Sequence, residues 1–164
     1  MTQNHRLMGD CVIHSPLGAT KITGDIQGIS SIKVYDEPQD ISKNIPIELQ
    51  DCTSQLDAYF QKKIKSFNLK LNPKGTEFQK KVWEALLRIP FGKTISYLEL
   101  SKQLGDVKAI RAVASANGKN PLWIVVPCHR VIGSDGSLTG YAGGLHRKQW
   151  LLNHESEVEQ LKLF

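Results

Sequence analysis

At 164 residues and 18.3 kDa the chain has the size of one ordinary domain or two small ones. Hydrophobic residues make up 40% and charged residues 23%, enough apolar surface to offset the entropy of ordering, so wholesale disorder is excluded. The formal charge is +5, and its excess lies in residues 74–150, where twelve basic side chains meet five acidic ones, while residues 1–73 carry eight of each. Such a localised positive field suits a polyanionic partner such as nucleic acid or an acidic protein, and equally a surface of solvated lysines. The longest apolar run, Leu122–Val126, has five residues, against the roughly 20 that a membrane-spanning helix needs, so no such helix and no membrane partner are expected. Residues 1–14 hold no apolar core of signal-peptide length, which places the chain in the cytoplasm by expectation, and three irregularly spaced cysteines then read as thiols.

In chain order, Cys11–His14, Ala19–Gly28 and Ile29–Glu37 are short, partly alternating apolar segments broken by Gly and Pro, which predicts a three-stranded antiparallel meander with a turn at Ser15–Gly18. From Pro46 the spacing changes to Leu49, Cys52, Leu56, Tyr59 and Phe60, one face of a helix, with Cys52 toward a core. The turn residues of Leu69–Gly75 mark a boundary. Thr76 with Gln79 forms a capping box for a helix whose stripe is Phe78, Val82, Leu86 and Ile89, ended by Pro90 and Gly92. Ser96 with Glu99 starts a short helix through Leu104; Gly105 allows a tight turn, and Asp106 can cap a third helix to about Asn117, together a helix-turn-helix candidate. That third helix carries small Ala109, Ala112, Ala114, Ser115 and Ala116 around a long Arg111. Such a face fits helix packing with one solvated arginine, or close approach to a ligand that the arginine enters.

The run Asn120–Val126 predicts a buried strand that delivers Cys128 to a glycine-studded loop, with His129 and Arg130 directly after it. A thiol attacks as its thiolate, so a reactive cysteine needs an electropositive or base-equipped setting, which these two neighbours offer. A buried structural thiol is the competing reading.

Pro127-Cys-His-Arg-Val131 resembles the acceptor motif of the O6-alkylguanine-DNA alkyltransferases, also called methylated-DNA–protein-cysteine methyltransferases. Thr76–Gln79, Val82-Trp83, Gly92–Tyr97, Arg111–Val113, Asn120-Pro121, Gly140–Gly144 and Leu151–Glu155 follow in that family's order and spacing, so the likeness runs over residues 75–156 and, more loosely, through Ser15–Gly18. The resemblance implies an α+β chain: an N-terminal α/β scaffold domain over 1–72 with the three-stranded sheet, a mainly helical DNA-binding and acceptor domain over 73–156 with a winged-helix-like helix-turn-helix, and an acidic tail over 157–164.

It also implies a one-shot enzyme of direct-reversal repair that moves the alkyl group from O6-alkylguanine, or O4-alkylthymine, to Cys128 as a thioether. His129 would draw off the thiol proton through water, with Glu155 orienting it and Asn120 bracing the turns. The Tyr97 ring would help extrude the nucleotide, and its hydroxyl would donate to guanine N3. The Cys128 and Val131 carbonyls would accept from the exocyclic amine, while Tyr141, Ala142 and Gly143 wall the pocket. Arg111 would fill the gap in the stack from the minor groove of double-stranded DNA, where Ala109, Ala112 and Ala116 allow close approach and Ser134 touches the backbone. A monomer without cofactor is expected. Where some relatives bind zinc, the aligned Arg6, Asp25 and Ser30 are not ligands, and His5, Cys11, His14 and Cys52 lack zinc spacing, so no metal is expected. His146 and His154 are expected at the surface. Two rivals remain: a Cys-His hydrolase that turns over, and a non-catalytic lesion-recognition module in which Cys128 is inert.

Overall fold

The structure, a computed structural model, describes residues 8–156. His5, Arg6 and the 157–164 tail lie outside them. The described residues form two compact units, one of residues 8–74 with 121–125, the other of 75–120 with 126–156.

In the first unit, β1 (Gly9–Ser15), β2 (Gly18–Asp25) and β3 (Gly28–Tyr35) make an antiparallel meander in the order β1-β2-β3. At the β1–β2 turn the Ser15 hydroxyl accepts from the Leu17 amide at 3.1 Å. Along β2, Thr20, Ile22 and Gly24 are buried and the residues between them are not, the period of two that a half-covered sheet requires. Helix α1 (Ile47–Phe60) buries Leu49, Cys52, Leu56 and Tyr59. The expected face therefore holds, except that Phe60 is only half-buried, edge-on to Tyr59 at 5.3 Å. Each such side chain, fully buried, contributes about 1.5–3 kcal/mol of transfer free energy.

The apolar run 122–126 is not a strand. Leu122 makes a single parallel bridge to Ile32, fixed by the Ile32 amide on the Pro121 carbonyl (2.8 Å) and the Trp123 amide on the Ile32 carbonyl (3.2 Å). After that the chain turns: Ile124 has φ 76° and the Val125 amide bonds back to Trp123 at 2.8 Å. A run this apolar marks burial, which a compact turn satisfies as well as a strand.

In the second unit, α2 (Glu77–Leu86) opens on the full Thr76–Gln79 capping box. Its buried face is Val82, Trp83, Ala85 and Leu86, whereas Phe78 is 40% exposed. Trp83 sits where the expected stripe did not, because its indole Nε1 donates to the buried Ala116 carbonyl at 2.9 Å. The helix stops at Leu86, and Ile89 is buried in the turn beyond it, where Arg88 and Ile89 bond back three residues before Pro90.

Two-residue strands β4 (Ile95–Ser96) and β5 (Val131–Ile132) pair in parallel. Helix α3 (Tyr97–Gln103) is capped by Ser96, whose hydroxyl accepts from the Glu99 amide at 3.0 Å. After Gly105 (φ 91°), Asp106 caps a single 3-10 turn over Val107–Ala109, and α4 follows over Ile110–Gly118. Helix α3 packs on α4, and α4 on α2, which gives the helix-turn-helix. Helix α5 (Leu145–Glu155) closes the unit with Arg147, Lys148, Leu151 and Glu155 buried.

Candidate active site

Cys128, His129 and Arg130 form one 3-10 turn, all three buried, entered by the Cys128 amide on the Val126 carbonyl at 2.8 Å. The chain leaves the second unit after Asn120 and returns at Val126, and the Asn120 side-chain amide clasps the two ends by donating to the Val126 carbonyl at 2.8 Å. The parallel pair Ile95–Val131 then sets Tyr97, the first residue of α3, beside the turn.

Burial pushes the Cys128 thiol up to about 11, against which an Asn120 hydrogen bond and the Lys148 charge work only in part. The resting group is therefore a neutral thiol at pH 7 and a poor nucleophile unless a base removes its proton.

An imidazole stands next to it in sequence. His129 Nε2 lies 2.8 Å from Glu155 Oε2, with both residues buried. Glu155 is gripped twice more by the Arg130 guanidinium, Nε to Oε1 at 2.7 Å and Nη2 to Oε2 at 2.9 Å, while Nη1 donates to the Ile89 carbonyl at 2.6 Å. Burial alone would raise the Glu155 pKa, but the hydrogen bonds from His129 and Arg130 outweigh it and hold the carboxyl far below the usual range. An ionised carboxylate accepts only, so the imidazole proton must sit on Nε2, and Nδ1 keeps its lone pair. That Nδ1 is buried with no hydrogen-bond partner among the described residues. Burial also lowers the His129 pKa in spite of Glu155, so the ring is neutral at pH 7 and able to take a proton. Gly92 permits this arrangement: its φ is 81°, and a Cβ there would stand 3.1 Å from the Glu155 carbonyl oxygen.

The Tyr97 hydroxyl donates to the Thr139 carbonyl at 2.9 Å, and burial raises its pKa. The Lys148 ammonium donates to the same carbonyl at 2.7 Å and to the Val131 carbonyl at 2.6 Å. The Val131 carbonyl expected to read a base amine thus already holds one donor, and the Cys128 carbonyl receives the Asn117 amide at 3.4 Å. Each oxygen has a second lone pair. Tyr141 and Gly143 are buried and Ala142 exposed, with the Gly143 carbonyl tied to Arg147 at 3.1 Å.

The structure therefore gathers Cys128, His129, Glu155, Tyr97 and Asn120 around one turn. Arg111 and Ala112 are exposed on α4, Ala109 is half-buried, and Ser134 is exposed in the loop after β5. Ala116 does not belong with them: it is 2% exposed, and its carbonyl accepts from the Trp83 indole of α2. His146 is exposed, while His154 is half-buried and stacked on Trp150 at 4.8 Å. Sequence reasoning gave no role to Arg130 beyond its charge, and none to Asn117 or Lys148. A signal existed for the last, since Lys148, Leu151 and Glu155 are spaced by three and four residues and so share one helix face.

A buried cysteine next to a buried imidazole–carboxylate pair, in a unit that also carries a helix-turn-helix, has the make-up of an enzyme of the DNA-binding class. Residues 77–157 match the family described as 6-O-methylguanine DNA methyltransferase, DNA binding domain, and residues 11–73 its ribonuclease-like domain. The methylated-DNA–protein-cysteine methyltransferase of Methanosarcina barkeri is 45% identical over 150 residues, covering 88% of this chain and 94% of that one. The Mycobacterium tuberculosis protein of the same name is 42% identical over 147 residues, covering 87% and 89%. Crystal structures of the M. tuberculosis O6-methylguanine methyltransferase (TM-score 0.81, 40% identity, covering 91% of this chain and 93% of that one) and of M. tuberculosis OGT in complex with DNA (0.80, 41%, covering 89% and 92%) share the fold. The chain belongs to the methylated-DNA–protein-cysteine methyltransferases, enzymes of direct-reversal DNA repair.

Proposed function

We propose that Cys128 is the alkyl acceptor and that the protein is consumed by a single transfer from O6-alkylguanine in double-stranded DNA. The observation that carries this is the imidazole of His129: its Nε2 is fixed on Glu155 and its Nδ1 is buried without a partner among the described residues, one residue from a neutral thiol. His129 Nδ1 takes the thiol proton through a bridging water. The sulfur then attacks the alkyl carbon, the S–C bond forms as the C–O6 bond breaks, and the electron pair leaves with the guanine. Tyr97, released from Thr139, donates a proton at N3 to the departing base. A thioether is not readily reversed, so the reaction has a stoichiometry rather than a turnover number.

The O6 carbon is out of reach inside a duplex, so the nucleotide must be flipped out at a cost of a few kcal/mol. Arg111, exposed near the start of α4 with small Ala112 beside it, occupies the vacated place in the stack from the minor groove, whose degenerate pattern suits a protein that must act in any sequence. Ser134 contacts the DNA backbone, and Tyr141, Ala142 and Gly143 wall the base pocket. The protein acts as a monomer in the cytoplasm.

The test is intact mass and peptide mapping after incubation with a duplex bearing one O6-methylguanine. A gain of one methyl on Cys128, saturating at one per protein and absent with undamaged DNA, is expected. Cys128→Ala should keep its DNA affinity and gain no mass; transfer by that variant would refute the assignment. Repeated turnover would indicate a hydrolase instead, and binding without labelling a recognition module.

A further inference from the structure

Helix α4 buries Val113, Ala116 and Asn117. Two of these are apolar, and the third is a carboxamide only 1% exposed. Its Nδ2 donates to the Cys128 carbonyl across a long 3.4 Å, and its Oδ1 is buried with no hydrogen-bond partner among the described residues. A carbonyl only accepts, so the end of the amide that faces Cys128 must be the nitrogen, and the oxygen is the end left over. The side chain also reaches the Tyr97 hydroxyl: burial raises the Tyr97 pKa, and a hydrogen bond from Asn117 is among the contacts that work against it. A contact that favours the phenolate is a donor, so the nitrogen serves that side as well. A buried acceptor without a donor carries the full cost of its desolvation, and it asks for an occupant that brings the donor.

We propose that Asn117 is a specificity-determining residue for the transfer, whose Oδ1 accepts a hydrogen bond from the 2-amino group of the O6-alkylguanine. This rests on the reading that Cys128 takes the alkyl group and that Tyr97 meets N3 of the flipped base. Alkylation at O6 leaves N1 without its hydrogen, so of the polar groups on the edge of the lesion only the exocyclic amine still donates. That amine stands on the carbon next to N3, so a side chain in contact with the Tyr97 hydroxyl lies one ring position from it. A carboxamide also presents a donor and an acceptor side by side, the complement of the acceptor and donor that guanine shows at N3 and the 2-amine. The Cys128 and Val131 carbonyls already hold donors from Asn117 and Lys148, whereas Oδ1 holds none, which makes it the acceptor with most to gain. Once a base fills the site, a lesion lacking the amine leaves Oδ1 stranded, and the penalty falls on the wrong base.

The experiment is single-turnover methyl transfer from two duplexes of one sequence, with the wild type, Asn117→Leu and Asn117→Ala. One duplex bears O6-methylguanine, the other O6-methylhypoxanthine, which is the same base without the 2-amine. The ratio of the two rates, compared between proteins, is the readout, because a substitution that alters DNA affinity, base extrusion or the thiol moves both rates together. Asn117→Leu should lower the preference for O6-methylguanine by about tenfold, the weight of one hydrogen bond and one stranded group. Asn117→Ala should lower it in the same sense.

Rates are normalised to the fraction of molecules methylated at the end point, so misfolded protein does not enter. A ratio that both variants leave at the wild-type value overturns the proposal, even if both rates fall, since that is the mark of a merely structural asparagine. Should neither variant fold, a crystal structure of Cys128→Ala on the O6-methylguanine duplex decides in their place. There Oδ1 within hydrogen-bond distance of the 2-amine is expected, and Oδ1 turned away from it overturns the proposal. Methyl found on a residue other than Cys128 removes the acceptor and this proposal together, whereas methyl on Cys128 with an unchanged ratio removes only the role of Asn117.

Discussion

At the scale of the residue, the site rests on one carboxylate that holds both a neutral imidazole and a guanidinium. Glu155 fixes the His129 tautomer and neutralises Arg130, so its replacement acts on both. Glu155→Gln leaves a buried guanidinium without its charge partner, at an expected cost of about 3–5 kcal/mol in denaturant unfolding, and it slows transfer because His129 loses the charge that favours its protonated form. A variant with wild-type stability would show that the ion pair contributes nothing net. The pH dependence has a definite sign. His129 is lowered on folding, so as pH falls below about 6.5 the unfolded chain takes up a proton first and stability drops. Glu155 is also lowered, so a second loss sets in below about pH 4.3, and Glu155→Gln should abolish that second step while keeping the first. Urea midpoints across this range check both; a midpoint that is flat from neutral to acid pH contradicts them. In the sequence, the adjacency of Cys128 and His129 was legible, whereas Glu155 and Lys148, distant along the chain, came only from family likeness or not at all.

At the scale of the element, helix starts were readable because a cap is a local bond. Thr76 and Ser96 accept from the amides three residues on, as their spacing predicts; Thr76→Ala should cost about 1 kcal/mol, measurable as a lowered midpoint without a change in slope. Helix faces were less readable. Phe78 fits the apolar spacing yet is exposed, and Ala116 fits a small DNA-facing stripe yet is buried, because Trp83 reaches across to α4 and sets which side of each helix is inside. The exposed remainder, with Arg111 near the start of α4, is where insertion into a base stack is expected. Arg111→Ala should slow repair of duplex DNA by about tenfold for every 1.4 kcal/mol of lost help in extrusion, and leave reaction with the free base almost unchanged. Equal losses on both substrates would rule out insertion.

At the scale of the whole molecule, charge and chain threading matter. The basic excess in residues 74–150 makes DNA affinity fall with salt, with a logarithmic slope of about 0.9 per phosphate neutralised; a salt-insensitive complex would contradict it. The segment 121–125 folds with the first unit although it lies in the sequence of the second. A fragment starting near residue 74 would strip Leu122 of cover and the Trp123 amide of its acceptor on Ile32, so it should be less stable by about 1–3 kcal/mol for each buried polar group left unpaired, besides the apolar loss. A fragment as stable as the full chain in thermal unfolding would show that this threading carries no weight.

By itself the sequence determined the meander, the helices and their caps, because strand alternation, helical spacing and capping are short-range and each is written within a few residues. It also placed a thiol beside an imidazole. Only the tertiary structure decided that the apolar run 122–126 is a buried turn, that Arg130 closes on Glu155, and that the Lys148 ammonium is buried on the Val131 and Thr139 carbonyls. Each of these joins residues separated by 17 to 90 positions or depends on how a buried backbone spends its hydrogen bonds, and no local pattern encodes either.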